Sequence, residues 1–70
     1  MRYLVVIEKA KKNYSAYVPD LPGCIATGAT KKEVQKNMAE AIEFHLEGLK
    51  EDRIKLPMPT ADSAYIEASA

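Results

Sequence analysis

Seventy residues with ten basic and ten acidic side chains describe one small domain of zero net charge, which argues against the strongly basic surface that free nucleic-acid binding requires. Cys24 is the single cysteine and no Cys/His pair has ligand spacing, so neither a disulfide nor a structural metal is expected to supplement the core. No run approaches the ~18 apolar residues of a membrane span, and Tyr3 to Ile7 is too short for a secretory signal core, so a reducing, cytoplasmic setting is expected.

In chain order, the Tyr, Leu, Val and Ile of Arg2 to Glu8 predict strand one. Both of its faces, Tyr3/Val5/Ile7 and Leu4/Val6, are apolar. Ala10 to Asn13 has hairpin length, and Tyr14 to Val18 is strand two with Tyr14, Ala16 and Val18 on one side. Pro22-Gly23 suits the centre of a type II turn, whose second residue needs positive φ. Cys24 to Gly28 follows as strand three. Thr30 stands three residues before Glu33, the spacing of a helix-capping pair, and opens a helix from Lys31 to Glu51. Leu56-Pro57-Met58-Pro59 is a stiff extended link, and a last strand is expected near Ala64 to Ala68.

A meander makes strand two central, and the helix then serves as a crossover that lets strand four lie beside strand one. The expected architecture is a single α+β domain over residues 1–70, ordered β-β-β-α-β, with sheet order 3-2-1-4 and one helix on one face. Such a short chain buries only about 60% of its unfolded surface. One helix cannot cover both faces, so Leu4, Val6, Tyr17 and Tyr65 are expected to need another cover, which points to a homo-oligomer.

On a helical wheel Val34, Met38, Ala41, Ile42, His45, Leu46 and Leu49 form the sheet-facing stripe, while Glu33, Lys36, Glu40, Glu43, Glu47 and Lys50 lie opposite. Charge is sorted along the chain. Residues 1–32 carry six basic side chains against Glu8 and Asp20, and the remainder carries the balancing acidic excess. The acidic helix face reads either as a solvated surface or as a docking site for a basic partner.

For catalysis, His45 lacks a nucleophile or carboxylate aimed at a cleft and reads as a packed, hydrogen-bonded core residue. Cys24 reads as a small packing residue and Asp20 as a turn acceptor for a backbone amide. Lys9, Lys11 and Lys12 with Tyr14 read as a solvated hairpin tip or as a small RNA contact. No catalytic, metal or cofactor-binding residue is assigned, and the chain is expected not to be an enzyme.

The run through Tyr14, Tyr17, Asp20-Leu21-Pro22-Gly23-Cys24, Thr27-Gly28, Thr30, Asn37, Glu40-Ala41-Ile42 and Leu46 resembles the HicB-like antitoxins over roughly residues 1–68. Ala29 departs from the acidic residue common at that place, and the DNA-binding segment of many members has no counterpart, so independent DNA binding is not expected. The resemblance implies a partial ribonuclease-H-like fold. It also implies a protein partner, a HicA-type toxin, which is a small basic ribonuclease that cleaves messenger RNA and is neutralised by direct contact. The carboxylates that ribonuclease-H-like enzymes use for metal would fall at Glu8, Glu33 or Glu40, and Glu67, which are not expected to converge. Charge alone assigns partner binding to Asp20, Glu40, Glu43 and Glu47. The alternative is a solitary HicB-like homo-oligomer with a structural or binding role and no toxin.

Overall fold

The computed structural model describes residues 1–69. Strands β1 (Val6–Lys9), β2 (Tyr14–Tyr17) and β3 (Ile25–Gly28) precede one helix, α1 (Lys31–Glu51). The strands form an antiparallel sheet in the order β1-β2-β3, with Val6 opposite Tyr17 and Tyr17 opposite Ile25. The predicted meander and the helix bounds therefore stand.

Strand one is shorter than its composition predicts. Continuing the register of Val6 opposite Tyr17 sets Leu4 opposite Pro19, which has no amide hydrogen to give to a ladder. Tyr3 instead donates its hydroxyl hydrogen to the Pro57 carbonyl. Between β2 and β3 the Cys24 amide donates to the Leu21 carbonyl at 3.0 Å, and Gly23 between them has φ of 85°. This is the geometry of the type II turn.

The helix starts on Thr30, whose Oγ1 accepts from the Glu33 amide at 3.0 Å. Glu33 returns the bond one residue earlier than the standard reciprocal pair, its Oε1 accepting from the Ala29 amide at 2.7 Å. Asn37 donates from Nδ2 to the Thr27 carbonyl at 2.8 Å and ties α1 to β3. At the other end Ile54 donates to Leu49 and Arg53 to Lys50, the paired bonds of a Schellman stop. Arg53 occupies the left-handed position there, at φ of 57°, where glycine is usual.

The core consists of Ala16, Val18, Leu21, Cys24, Val34 and Met38. Gly28 sets how closely the helix approaches, because a Cβ there would lie 2.6 Å from the Val34 nitrogen and 2.9 Å from its Cα. Both are backbone atoms that cannot swing aside. Gly28→Ala is therefore expected to destabilise the fold by about 1–3 kcal/mol through overpacking, read as a lower urea midpoint at unchanged slope.

The predicted fourth strand is a correction. Among the described residues the sheet has three strands, and residues 54–69 form neither helix nor strand. Ala64 to Ala68 are exposed throughout. The Asp62 carboxylate accepts from the Ser63 amide at 2.8 Å, a local bond that competes with ladder formation. The sheet order 3-2-1-4 thus reduces to its first three members. The fourth strand of the ribonuclease-H-like architecture is not formed among the described residues.

Candidate functional site

Helix α1 directs Val34 and Met38 into the core, and the 3.6-residue repeat then turns Glu40, Glu43, Phe44 and Glu47 outward together. These positions follow the i, i+3, i+4, i+7 pattern of one helical face, and all four side chains are exposed. Phe44 is 76% exposed and, four residues after Glu40 and three before Glu47, borders the glutamates on one side. Beside it a cleft of about 220 Å³ is lined by Gly23, Cys24, Ile25, Ala41, Phe44 and His45. An exposed aromatic ring between carboxylates on one side and a cleft on the other has the make-up of a protein-docking anchor with a polar rim.

Asp20 faces a different task. Its Oδ2 accepts from the amides of Thr60 at 3.1 Å and Ala61 at 2.9 Å, and its Oδ1 accepts from the Thr60 hydroxyl at 3.0 Å. The predicted turn acceptor therefore binds amides 40 and 41 residues away, fixing the extended segment at the end of the sheet. These bonds, that of Ala61 foremost, hold the carboxyl below its ordinary value of 3.8. A depressed carboxyl pKa adds stability that is full above the unfolded-state value and is lost as pH falls through the folded-state one. Attachment of the segment is thus expected to be constant near neutrality and to weaken on acidification below about pH 4. In Asp20→Ala the amides of Thr60 and Ala61 should exchange with solvent faster at neutral pH, while those of mid-helix α1 keep their protection. Equal protection in both proteins would refute the clasp.

The remaining candidates separate. His45 is half-buried on the cleft wall and makes no side-chain hydrogen bond to a described residue, so the hydrogen-bonded core histidine is corrected to a boundary one. It lies where the helix stripe runs past β3. Cys24 is buried, and burial pushes its thiol pKa up, disfavouring the reactive thiolate. Among the described residues no group of three or more His, Cys, Asp or Glu side chains could hold a metal ion. Glu8 on β1, Glu33 and Glu40 on α1, and Glu67 in the segment after it are all exposed. Lys9, Lys11, Lys12 and Tyr14 line a shallow depression with Thr30 and Lys31. No described helix is long and apolar enough to cross a membrane.

The family described as "HicB_like antitoxin of bacterial toxin-antitoxin system" matches residues 3–69. The chain belongs to the HicB-like antitoxin family. It is 41% identical over 69 residues to a UPF0150 protein of Thermoplasma acidophilum, covering 97% of this chain and 100% of that one. It is also 44% identical over 66 residues to an uncharacterized 14.9 kDa protein from the rep-hol intergenic region of Haemophilus phage HP1, covering 94% of this chain. This chain spans 50% of the length of the phage relative. Among solved structures, a chain of a HicA3 and HicB3 toxin-antitoxin complex superposes with a TM-score of 0.73 at 35% identity, covering 86% of this chain and 70% of that one.

The acidic face of this HicB-like domain contains one residue that charge reasoning overlooks. Phe44 was open to detection by its spacing, since it lies four residues after Glu40 and three before Glu47, off the sheet-facing stripe. The residues expected to need cover lie elsewhere. Val6, Tyr17 and Ile25 form a row across the open sheet face through their cross-strand pairing. Tyr17 is 43% and Ile25 70% exposed, while Tyr65 is wholly exposed. Leu4 and Val6 are half-buried.

Proposed function

We propose that this chain is an antitoxin that binds a small, basic, HicA-type ribonuclease in the cytoplasm and neutralises it by direct contact, without catalysis of its own. The observation that carries the reading is Phe44, exposed at the border between the acidic face of Glu40, Glu43 and Glu47 and the cleft beside β3. Carboxylates steer a cationic partner inward, and a desolvated aromatic ring supplies the short-range affinity. Membership of the antitoxin family and likeness to a chain of a toxin-antitoxin complex support the same reading. Asp20, whose oxygens accept from Thr60 and Ala61, enters it by holding the segment in place.

The test is co-purification of the tagged chain with the product of a neighbouring gene that encodes a basic ribonuclease, followed by messenger-RNA cleavage with and without the chain. A stoichiometric complex with suppressed cleavage is expected. Uninhibited cleavage at saturating antitoxin would overturn the reading. The row of half-buried Val6 with exposed Tyr17 and Ile25, together with Tyr65, supports a second reading, a solitary homo-oligomeric domain, for which no such complex would form.

A further inference from the structure

Six of the ten basic side chains gather at one end of the molecule. The Ala10 amide donates to the Asn13 carbonyl at 2.8 Å and closes the hairpin between β1 and β2, which puts Lys11 and Lys12 at its tip. Lys9 pairs with Tyr14 and Tyr14 with Gly28. With a period of two, Lys9 and Tyr14 point to the helix side of the sheet, where Ala16 is buried. There they meet the start of α1, and a depression of about 300 Å³ is lined by Lys9, Lys11, Lys12, Tyr14, Thr30 and Lys31. A second depression, of about 560 Å³, shares Thr30 with the first and is lined by Lys32, Glu33, Lys36 and Asn37. Lys32 and Lys36 lie on one helix face at i and i+4, and all six lysines are exposed.

We propose that this end is a binding surface for single-stranded RNA, whose phosphates run along the two depressions past Thr30. The zero net charge of the chain conceals it, because the charge is sorted in space as well as along the sequence. Among the described residues Glu33 is the only carboxylate lining either depression, and its Oε1 already accepts from the Ala29 amide at 2.7 Å. A basic groove that tracks the backbone, with an aromatic ring on which a base stacks, binds single strands without reading their sequence. Tyr14, half-buried on the wall of the first depression, offers that ring. Asn13, Thr30 and Asn37 interleave with the lysines. Amide and hydroxyl groups both donate and accept, which suits them to the 2′-hydroxyl of ribose. Asn37 gives one amide hydrogen to the Thr27 carbonyl and keeps its oxygen for such a contact.

Shape and composition favour this occupant over other anions. Two depressions joined at Thr30 make a path longer than one phosphate group needs, which selects an extended strand over a free ion. A lipid surface fits less well. Basic segments that lie on membranes carry large apolar side chains beside their charges, whereas none of the exposed large hydrophobic residues lines either depression. The surface is also separate from the acidic face. Lys32 and Phe44 lie about 18 Å apart along the axis of α1 at ~1.5 Å per residue, so the RNA site stands independently of any toxin docked at Phe44.

The test is fluorescence anisotropy of a labelled oligouridylate of about 12 nucleotides, titrated with the whole chain across a range of salt. A saturable rise is expected at low salt, with log K falling against log salt at a slope of about −3 to −4, from ~0.7 for each of roughly four to six neutralised phosphates. Lys11→Glu with Lys32→Glu should weaken binding by about tenfold or more and flatten that slope by about 1.4. Lys50→Glu with Lys55→Glu makes the same change in net charge at exposed positions beyond the other end of the helix, and should stay within about threefold of the parent because separated exposed charges are screened. Circular dichroism should be unchanged in both. Equal weakening by the two pairs, or no saturable binding at low salt, would overturn the site. An oligodeoxyuridylate bound as tightly as its ribose counterpart would refute the RNA assignment. Retention on phosphatidylserine vesicles without RNA binding would replace it with a membrane surface.

Discussion

Leu21→Ala is expected to lower the urea midpoint of unfolding far more than an exposed substitution a few residues away. Leu21 belongs to the turn between β2 and β3, yet its side chain is 0% exposed and is packed with Val18, Cys24, Val34 and Met38 in the core. Truncating a buried leucine to alanine costs about 2–5 kcal/mol, from lost transfer free energy and the cavity left behind. A domain of this size has a total stability of roughly 3.5–10 kcal/mol at ~0.05–0.15 kcal/mol per residue. The substitution therefore removes a large share of the whole. Ile25→Ala, only a few residues along but 70% exposed, should remain within about 0.5 kcal/mol of the parent. Urea titration followed at 222 nm compares the two. Equal midpoints would mean that Leu21 does not anchor the core.

The second large effect concerns the acidic helix face and divides between rates. Phe44→Ala should weaken binding of the basic ribonuclease by about 30-fold or more, the loss of ~2 kcal/mol that defines an interface hot spot, and mainly by faster dissociation. Glu43→Lys with Glu47→Lys should instead slow association at low salt and flatten its dependence on ionic strength, because rim charges act chiefly through steering. Both positions are exposed, so circular dichroism should stay unchanged. Stopped-flow association across salt, paired with dissociation by competition, separates the two. Unaltered rates in both variants with the fold intact would move the interface off this helix.

The helix was readable from its first residue to its last because its start signal, periodic stripe and length are all local properties. The Pro22-Gly23 turn was readable for the same reason, as Gly23 has the positive φ that the dipeptide requires. Strand four was not. Its sequence has strand character, but pairing depends on which edge is within reach, and local composition does not encode that. The Schellman stop was also hidden, since Arg53 takes a conformation in which L-residues are disfavoured by roughly 1–2 kcal/mol. For the site, glutamate positions followed from the helical repeat. Phe44 escaped because an aromatic residue is ordinarily assigned to the interior, and only its angular place beside Glu40, Glu43 and Glu47 separates it from the stripe. Asp20 was read as a local acceptor; its true partners lie 40 residues on, beyond the range of any turn rule.

That distance bears on the order in which the protein is made. The strands and helix contact near neighbours in the chain, so they can assemble while the ribosome is still adding later residues, with earlier elements folding first. Thr60 and Ala61 emerge after all of these elements and close a loop of 40 residues onto Asp20. Closing a loop costs more entropy as it lengthens, although only slowly. The clasp is thus a late event laid on a surface already formed, and the growing chain passes through a stage in which β1 to β3 and α1 are assembled while Thr60 and Ala61 are still unattached.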